Sequence, residues 1–202
     1  MDRTGALYGT TGGGGGKWGV GIMFKLTPTD HGWDETLIYT FIQKPGYFGE
    51  GGVQPLAGLS LGDDGTLYGT AGGGGKFGGG VVFALTPSDR GWAYRVLHDF
   101  KKEEGSAPNS RLVFGKSGAL YGTTKFGGDA PGNRGRGTVF KLGPSATGWD
   151  EVVLHSFRGG ADGALPTGVL IRDSSGNLFG TTRGDDNGGT VFEIVAGGFF
   201  GK

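Results

Sequence analysis

The sequence predicts an all-β protein, a β-propeller of four-stranded repeats of roughly 50–60 residues, with about three and a half to four blades in the chain. Three observations predict it. A Leu-Tyr-Gly-Thr block, once with Phe in place of Tyr, occurs four times. Short aromatic and β-branched runs follow each occurrence in the same order. Glycine, at 49 of 202 residues, is concentrated between those runs. It supplies the positive φ that tight strand connections need.

The first strand of each unit is the block itself: Leu7-Tyr8-Gly9-Thr10-Thr11, Leu67-Tyr68-Gly69-Thr70-Ala71, Leu120-Tyr121-Gly122-Thr123-Thr124 and Leu178-Phe179-Gly180-Thr181-Thr182. Its aromatic position advances by 60, 53 and 58 residues. A glycine-rich loop leads to the second strand, Met23-Phe24-Lys25-Leu26, Val82-Phe83-Ala84-Leu85, Val139-Phe140-Lys141-Leu142 or Val191-Phe192-Glu193-Ile194. The pairs Gly32-Trp33, Gly91-Trp92 and Gly148-Trp149 precede the third strand, which ends in Phe41, Phe100 or Phe157. The fourth run is a Pro-x-x-x-Leu pattern: Pro55 with Leu59, Pro108 with Leu112, Pro166 with Leu170.

Short runs of this composition, bounded by Gly, Pro, Asp and Ser, are strand signals. No segment has a helical period. The copies fall at about 1–61, 62–114, 115–172 and 173–202, one repeat domain over residues 1–202. A β-trefoil also has four strands per unit, but its units are shorter and number three. The last copy ends after its second strand, unless Gly198-Phe199-Phe200 adds a third. Incomplete terminal blades would leave apolar faces and strand edges open, so the expectation is self-association, or else that the chain is a fragment of a longer array.

These blocks together resemble the bacterial GloVer tandem repeat of choice-of-anchor tandem-repeat proteins, over nearly the whole chain. The resemblance implies a secreted or cell-surface bacterial protein. It implies no catalytic residues.

Composition excludes several classes of function. Nineteen basic and nineteen acidic residues give zero formal net charge, so a nucleic-acid partner is not expected. With no run of 18 apolar residues, membrane insertion by a helix is not expected. The absence of cysteine removes disulfides, thiolate zinc sites and cysteine nucleophiles. The N-terminal residues Met1 to Gly5 do not read as a signal peptide.

The loops after the first strand carry the candidate ligand-binding residues. Lys17-Trp18, Lys76-Phe77 and Lys125-Phe126 occupy equivalent positions, with Arg183 alone in the fourth copy. An aromatic ring can stack on the apolar face of a sugar while lysine and threonine hydrogen-bond it. The expected partner is therefore a glycan or a protein surface. The alternative role for these rings is packing on a neighbouring blade.

No cofactor is expected. The glycine run before Lys17 resembles a phosphate loop, but Thr11 stands where that pattern needs glycine and Trp18 where it needs Ser or Thr. No metal is expected either, since Asp185-Asp186-Asn187 lacks calcium-loop spacing. His98-Asp99 and His155-Ser156 are consecutive strand residues that point to opposite faces, so neither pair forms a dyad. The enzyme alternative is a carbohydrate-active hydrolase or lyase with acidic residues at the propeller mouth. Its candidates break the repeat: Asp129, Arg134, Arg136, Asp185 and Asp186.

Overall fold

A computed structural model describes residues 1–43, 49–129, 135–184, 188–195 and the backbone of 198–201. Among these residues the chain forms four antiparallel sheets and no α-helix. Among the described residues no helix is long and apolar enough to cross a membrane.

The first sheet holds β1 (Leu7–Thr11), β2 (Gly19–Thr29) and β3 (Gly32–Ile42), in that order. The second holds β4 (Ser60–Leu61), β5 (Leu67–Ala71), β6 (Val81–Ser88) and β7 (Gly91–Asp99). The third begins with two short segments, β8 (Ser106–Pro108) and β9 (Val113–Phe114), both paired with β10 (Leu120–Phe126). It continues through β11 (Thr138–Ser145) to β12 (Gly148–Ser156). The fourth holds β13 (Ile171–Arg172), β14 (Leu178–Thr181), β15 (Val191–Val195) and β16 (Gly198–Gly201).

The structure decides one alternative that the sequence leaves open and departs from the expectation in one detail. The run around Gly198 forms β16 and gives the fourth sheet its outer strand. The short strand that ends each copy also does not join its own copy's sheet. β4, β9 and β13 pair with the Leu-Tyr-Gly-Thr (or Phe-Gly-Thr) strand that follows them, so each links one copy to the next sheet.

Packing explains the glycine inside the repeated block. In every sheet it pairs with the phenylalanine of the adjacent strand: Gly9 with Phe24, Gly69 with Phe83, Gly122 with Phe140, Gly180 with Phe192. A methyl group on any of these glycines would stand 2.4–2.6 Å from that ring's Cζ. In the last three sheets the leucine of Pro-x-x-x-Leu (Leu59, Leu112, Leu170) closes over the same spot, at 2.8–3.0 Å. The motif is thus a plug above the glycine more than a strand.

The cores lie between consecutive sheets. Met23 and Phe41 of the first sheet pack on Leu67, Phe83 and Leu85 of the second. Val82 and Phe100 pack on Leu120, Phe140 and Leu142 of the third. Val139 and Phe157 pack on Leu178 and Phe192 of the fourth. One ring contact recurs at each interface: Phe41–Phe83 at 5.5 Å, Phe100–Phe140 at 5.0 Å and Phe157–Phe192 at 5.1 Å between centroids. Each such pair adds about 0.5–1.5 kcal/mol beyond its area burial. A β-bulge recurs in three sheets, just before the phenylalanine that pairs with the block's glycine, between Met23/Phe24, Val82/Phe83 and Val139/Phe140.

Candidate functional site

In the first three sheets the glycine-rich loop between the first two long strands is pinned by the connector that follows that sheet. Gly21, Gly80 and Gly137 have φ of 137°, 92° and 99°, and a Cβ there would stand 2.5–2.6 Å from Cδ of Pro55, Pro108 or Pro166. The residue before each proline donates its N–H to the preceding loop. Gln54 bonds the Val20 carbonyl at 3.1 Å, Ala107 that of Gly79 at 2.9 Å, and Leu165 that of Arg136 at 2.7 Å. Those three donors are themselves left-handed, at φ 58°, 53° and 56°. The last threonine of the block clamps the loop's far end. The Thr138 N–H donates to Thr124 Oγ1 at 3.1 Å and the Thr190 N–H to Thr182 Oγ1 at 3.0 Å. Ala71 stands at this position in the second sheet and makes no such bond.

These anchored loops carry the lysine–aromatic pairs. Lys17 Nζ lies 5.2 Å from the Trp18 ring centroid, Lys76 Nζ 5.5 Å from Phe77, and Lys125 Nζ 5.0 Å from Phe126. Lys101 Nζ, from the connector, also lies 5.3 Å from the Phe77 ring. The rings remain 40 %, 48 % and 43 % exposed, so they are not buried against a neighbouring sheet. Cation–π attraction of about 0.5–1 kcal/mol per exposed pair holds lysine and ring together. The Lys76 N–H also donates to Asp99 Oδ1 at 2.6 Å, which fixes its loop. Arg183 is exposed in the fourth loop, its N–H bonded to the Leu165 carbonyl at 3.1 Å.

Phe126 lines an open groove of about 630 Å³ with Lys102, Glu103, Ser106 and the glycines 127, 128 and 135. A second groove of about 370 Å³ shares Glu103 and adds Asp129, His155 and Arg158. Of the other repeat-breaking candidates, Arg136 bridges Gly127 through its backbone. Arg134, Asp185 and Asp186 lie outside the described residues. A third hollow, of about 480 Å³, is lined from the first three sheets and the connectors by Tyr8, Leu59, Leu112, Phe114 and Leu170 among others.

The histidines pair with carboxylates that the sequence reading did not single out. His155 Nε2 lies 3.0 Å from Asp162 Oδ1, while Asp162 Oδ2 accepts the Arg158 N–H at 2.7 Å. His98 Nε2 lies 3.3 Å from Glu104 Oε2. The available signal was an acidic residue six or seven positions after each histidine. Burial pulls both histidines below the ordinary imidazole range, outweighing the attraction of the carboxylates. Glu151 faces the same region from β12, and burial, reinforced by repulsion from Glu104, pushes its carboxyl up to about 7.

Other recurring acids serve turns. Asp2 accepts from the Thr4 hydroxyl, the Tyr8 hydroxyl and the N–H groups of Ala6 and Thr4, which hold its carboxyl at about 2. Asp64 and Asp173 accept local N–H groups in the equivalent turns. Of the Gly-Trp tryptophans, Trp92 packs edge-on to Tyr8 at 6.1 Å and Trp149 to Tyr68 at 6.4 Å. No group of three or more His, Asp or Glu residues is arranged to hold a metal among the described residues.

Fold and loops together define a tandem-repeat protein of stacked antiparallel sheets with recurring cation–aromatic loops. The chain belongs to the Gloeobacter/Verrucomicrobia repeat family, whose model matches residues 1–200. No curated protein matches it. Among solved structures it is similar to a protein of unknown function from Dyadobacter fermentans, with TM-score 0.58 and 15 % identity over 99 % of this chain and 66 % of that one. A provisionally assigned 6-phosphogluconolactonase from Bacteroides uniformis matches with TM-score 0.55 and 15 % identity, over 94 % of this chain and 50 % of that one. A provisionally assigned gluconolactonase matches with TM-score 0.51 and 18 % identity, over 99 % and 67 %. The chain thus spans one half to about two thirds of the length of these neighbours. Such identities speak to the fold alone.

Proposed function

We propose that the four sheets are blades of a β-propeller and that its loop face is a binding surface for glycans. The likeness to longer neighbours of the same fold and the sheet-upon-sheet cores support the propeller reading. One observation carries the function: three consecutive sheets present an exposed aromatic ring with a lysine ammonium beside it, each on an equivalent loop. A ring with one open face stacks on a sugar's C–H face, and the adjacent ammonium donates to its hydroxyls. Loops anchored by proline–glycine contacts lose little entropy on binding. Equivalent sites along an array favour weak, multivalent recognition. Such a surface suits a secreted or cell-surface protein.

A glycan-array screen of the purified chain tests this. Specific binding that is lost in the Trp18→Ala, Phe77→Ala, Phe126→Ala triple variant is the expected result. Binding that the triple variant keeps would defeat the stacking role.

A hydrolytic reading has narrower support: Glu103, Asp129, His155 and Arg158 line one groove, and two neighbours carry lactonase assignments. Against it, Asp162 is engaged in holding His155 and the Arg158 backbone, and the recurring acids hold turns. Turnover of a sugar lactone or glycoside, abolished by Asp129→Asn, would move the assignment to an enzyme.

A further inference from the structure

Between the first and second sheets lies an open cleft of about 610 Å³. Arg3, Tyr8 and Lys25 wall it from the first sheet, and Leu61, Pro87 and Trp92 from the second. Tyr8 and Lys25 face each other where β1 begins and β2 nears its end. The lysine–aromatic loops follow β1 instead, so the cleft stands at the opposite end of the sheets. Both sheets of this junction are present, and the space lies inside the stack rather than at its outer faces.

The next junction shows what fits there. Tyr68 takes the place of Tyr8, and Trp149 packs edge-on to it at 6.4 Å as Trp92 does to Tyr8 at 6.1 Å. Phe114 takes the place of Leu61, for each stands opposite the leucine of its own block, Leu120 or Leu67. The Phe114 ring meets Tyr68 at 5.6 Å and 88°, edge to face. Leu61 has no ring, and it lines the cleft beside Tyr8. The chain thus supplies its own ring at one junction and leaves a ring's place open at the other.

The first junction also carries charge that the second lacks. Lys25 pairs with Tyr8 where Ala84 pairs with Tyr68, and its Nζ lies 5.8 Å from the Tyr8 centroid. Arg3 adds a guanidinium at the rim. Among the described residues neither cation makes an ion pair. Two carboxylates line the cleft, Asp2 and Asp63. Asp2 is engaged by the hydroxyls of Thr4 and Tyr8 and the N–H groups of Thr4 and Ala6. Asp63 alone therefore opposes two cations. The Tyr8 hydroxyl, donating to Asp2 at 2.8 Å, also fixes the angle of its ring.

We infer that this cleft binds a small aromatic carboxylate, its ring edge to face with Tyr8 beside Trp92 and its acid group on Lys25 and Arg3. Clefts of about 300–1,000 Å³ with mostly apolar walls and a few polar groups are the usual form of a small-molecule site. An edge-to-face ring pair adds to the burial of the ring, and the cations select the acid over a neutral analogue. This is a second site, and it does not rest on the loop-face reading.

Nitrogen–proton NMR of the isotope-labelled full chain tests it, titrated with phenylacetate and, as the uncharged probe, benzyl alcohol. The Trp92 indole N–H, identified from a Trp92→Phe spectrum, reports on the cleft. Two variants borrow residues from the second junction, where the same fold holds them: Leu61→Phe puts a ring in the cleft and Lys25→Ala removes the ammonium. Matching thermal melts confirm that both fold. Phenylacetate is expected to shift the Trp92 signal saturably and to bind more tightly than benzyl alcohol. Leu61→Phe is expected to abolish the response. Lys25→Ala is expected to weaken phenylacetate about two- to fivefold and leave benzyl alcohol unchanged. Phe114→Leu is expected to open the second junction, so that the Trp149 indole, silent in the wild type, also responds. A wild type with no saturable response would overturn the proposal. So would a Leu61→Phe variant that binds as the wild type does, or a Lys25→Ala variant that keeps the full preference for the acid.

Discussion

Replacing Gly122 by alanine measures how tightly the repeated block is packed. The added Cβ would stand 2.6 Å from Phe140 Cζ, 3.0 Å from Phe140 Cε1 and 3.0 Å from Leu112 Cδ2. Ordinary carbon contacts need about 3.5–4.0 Å, so the neighbours must retreat by nearly an ångström. Neither can retreat into solvent. Phe140 is fully buried with its ring 5.0 Å from that of Phe100, and Leu112 is 2 % exposed. Overpacking of this kind costs about 1–3 kcal/mol. For a domain of this size 2 kcal/mol lowers Tm by about 4–8 °C. Gly9→Ala is the internal control: its Cβ meets Phe24 Cζ at 2.5 Å, but Phe24 is only half-buried on the open first face and can swing away. Urea and thermal unfolding of both variants should show a loss at Gly122 at least twice that at Gly9. Equal losses, or none at Gly122, would refute the account of the glycine as a seat for the phenylalanine ring.

Three further outcomes follow from the same geometry. Glu151 has a folded pKa raised from 4.5 to about 7, so its stabilising contribution is full below about 4.5 and is lost as pH rises through 7. The unscreened penalty of about 3 kcal/mol shrinks to about 1–2 kcal/mol for a half-exposed group, and Glu151→Gln should recover it at pH 8 and flatten the stability profile between pH 5 and 7. Ala107→Gly relieves a left-handed φ of 53°, and should leave stability unchanged or raise it by up to about 1 kcal/mol in urea titrations, where glycine within an ordinary strand would lower it. Thr124→Val removes the acceptor of the Thr138 N–H and the Thr138 hydroxyl partner at 2.8 Å, both buried, and should cost about 1–3 kcal/mol in the same assay.

The long strands were legible because every one carries the repeat's own signature, an aromatic or β-branched run at a fixed place in the unit. Their assembly into sheets was less so. β4 and β13 are two residues long, too short for any alternation to show which neighbour they pair with. The Pro-x-x-x-Leu pattern likewise reads as a strand, while its proline seats on one sheet's loop and its leucine caps the next sheet's glycine. The loop lysines and aromatics were legible from recurrence alone. The pairing of His155 with Asp162 was not, because it depends on a connector folding back toward the strand it has just left. The exposure of Trp33 was also hidden, since its sequence context equals that of the half-buried Trp92 and Trp149.

The most direct test of the loop-face account compares one glycan, identified by array, in monovalent form and displayed on a polymer. Three equivalent weak sites predict polymer binding at least about 10²-fold tighter than the free glycan, falling in steps as Trp18, Phe77 and Phe126 are replaced one after another by alanine. Equal affinity for the two forms, or complete loss on any single replacement, would contradict an array of independent, repeated sites.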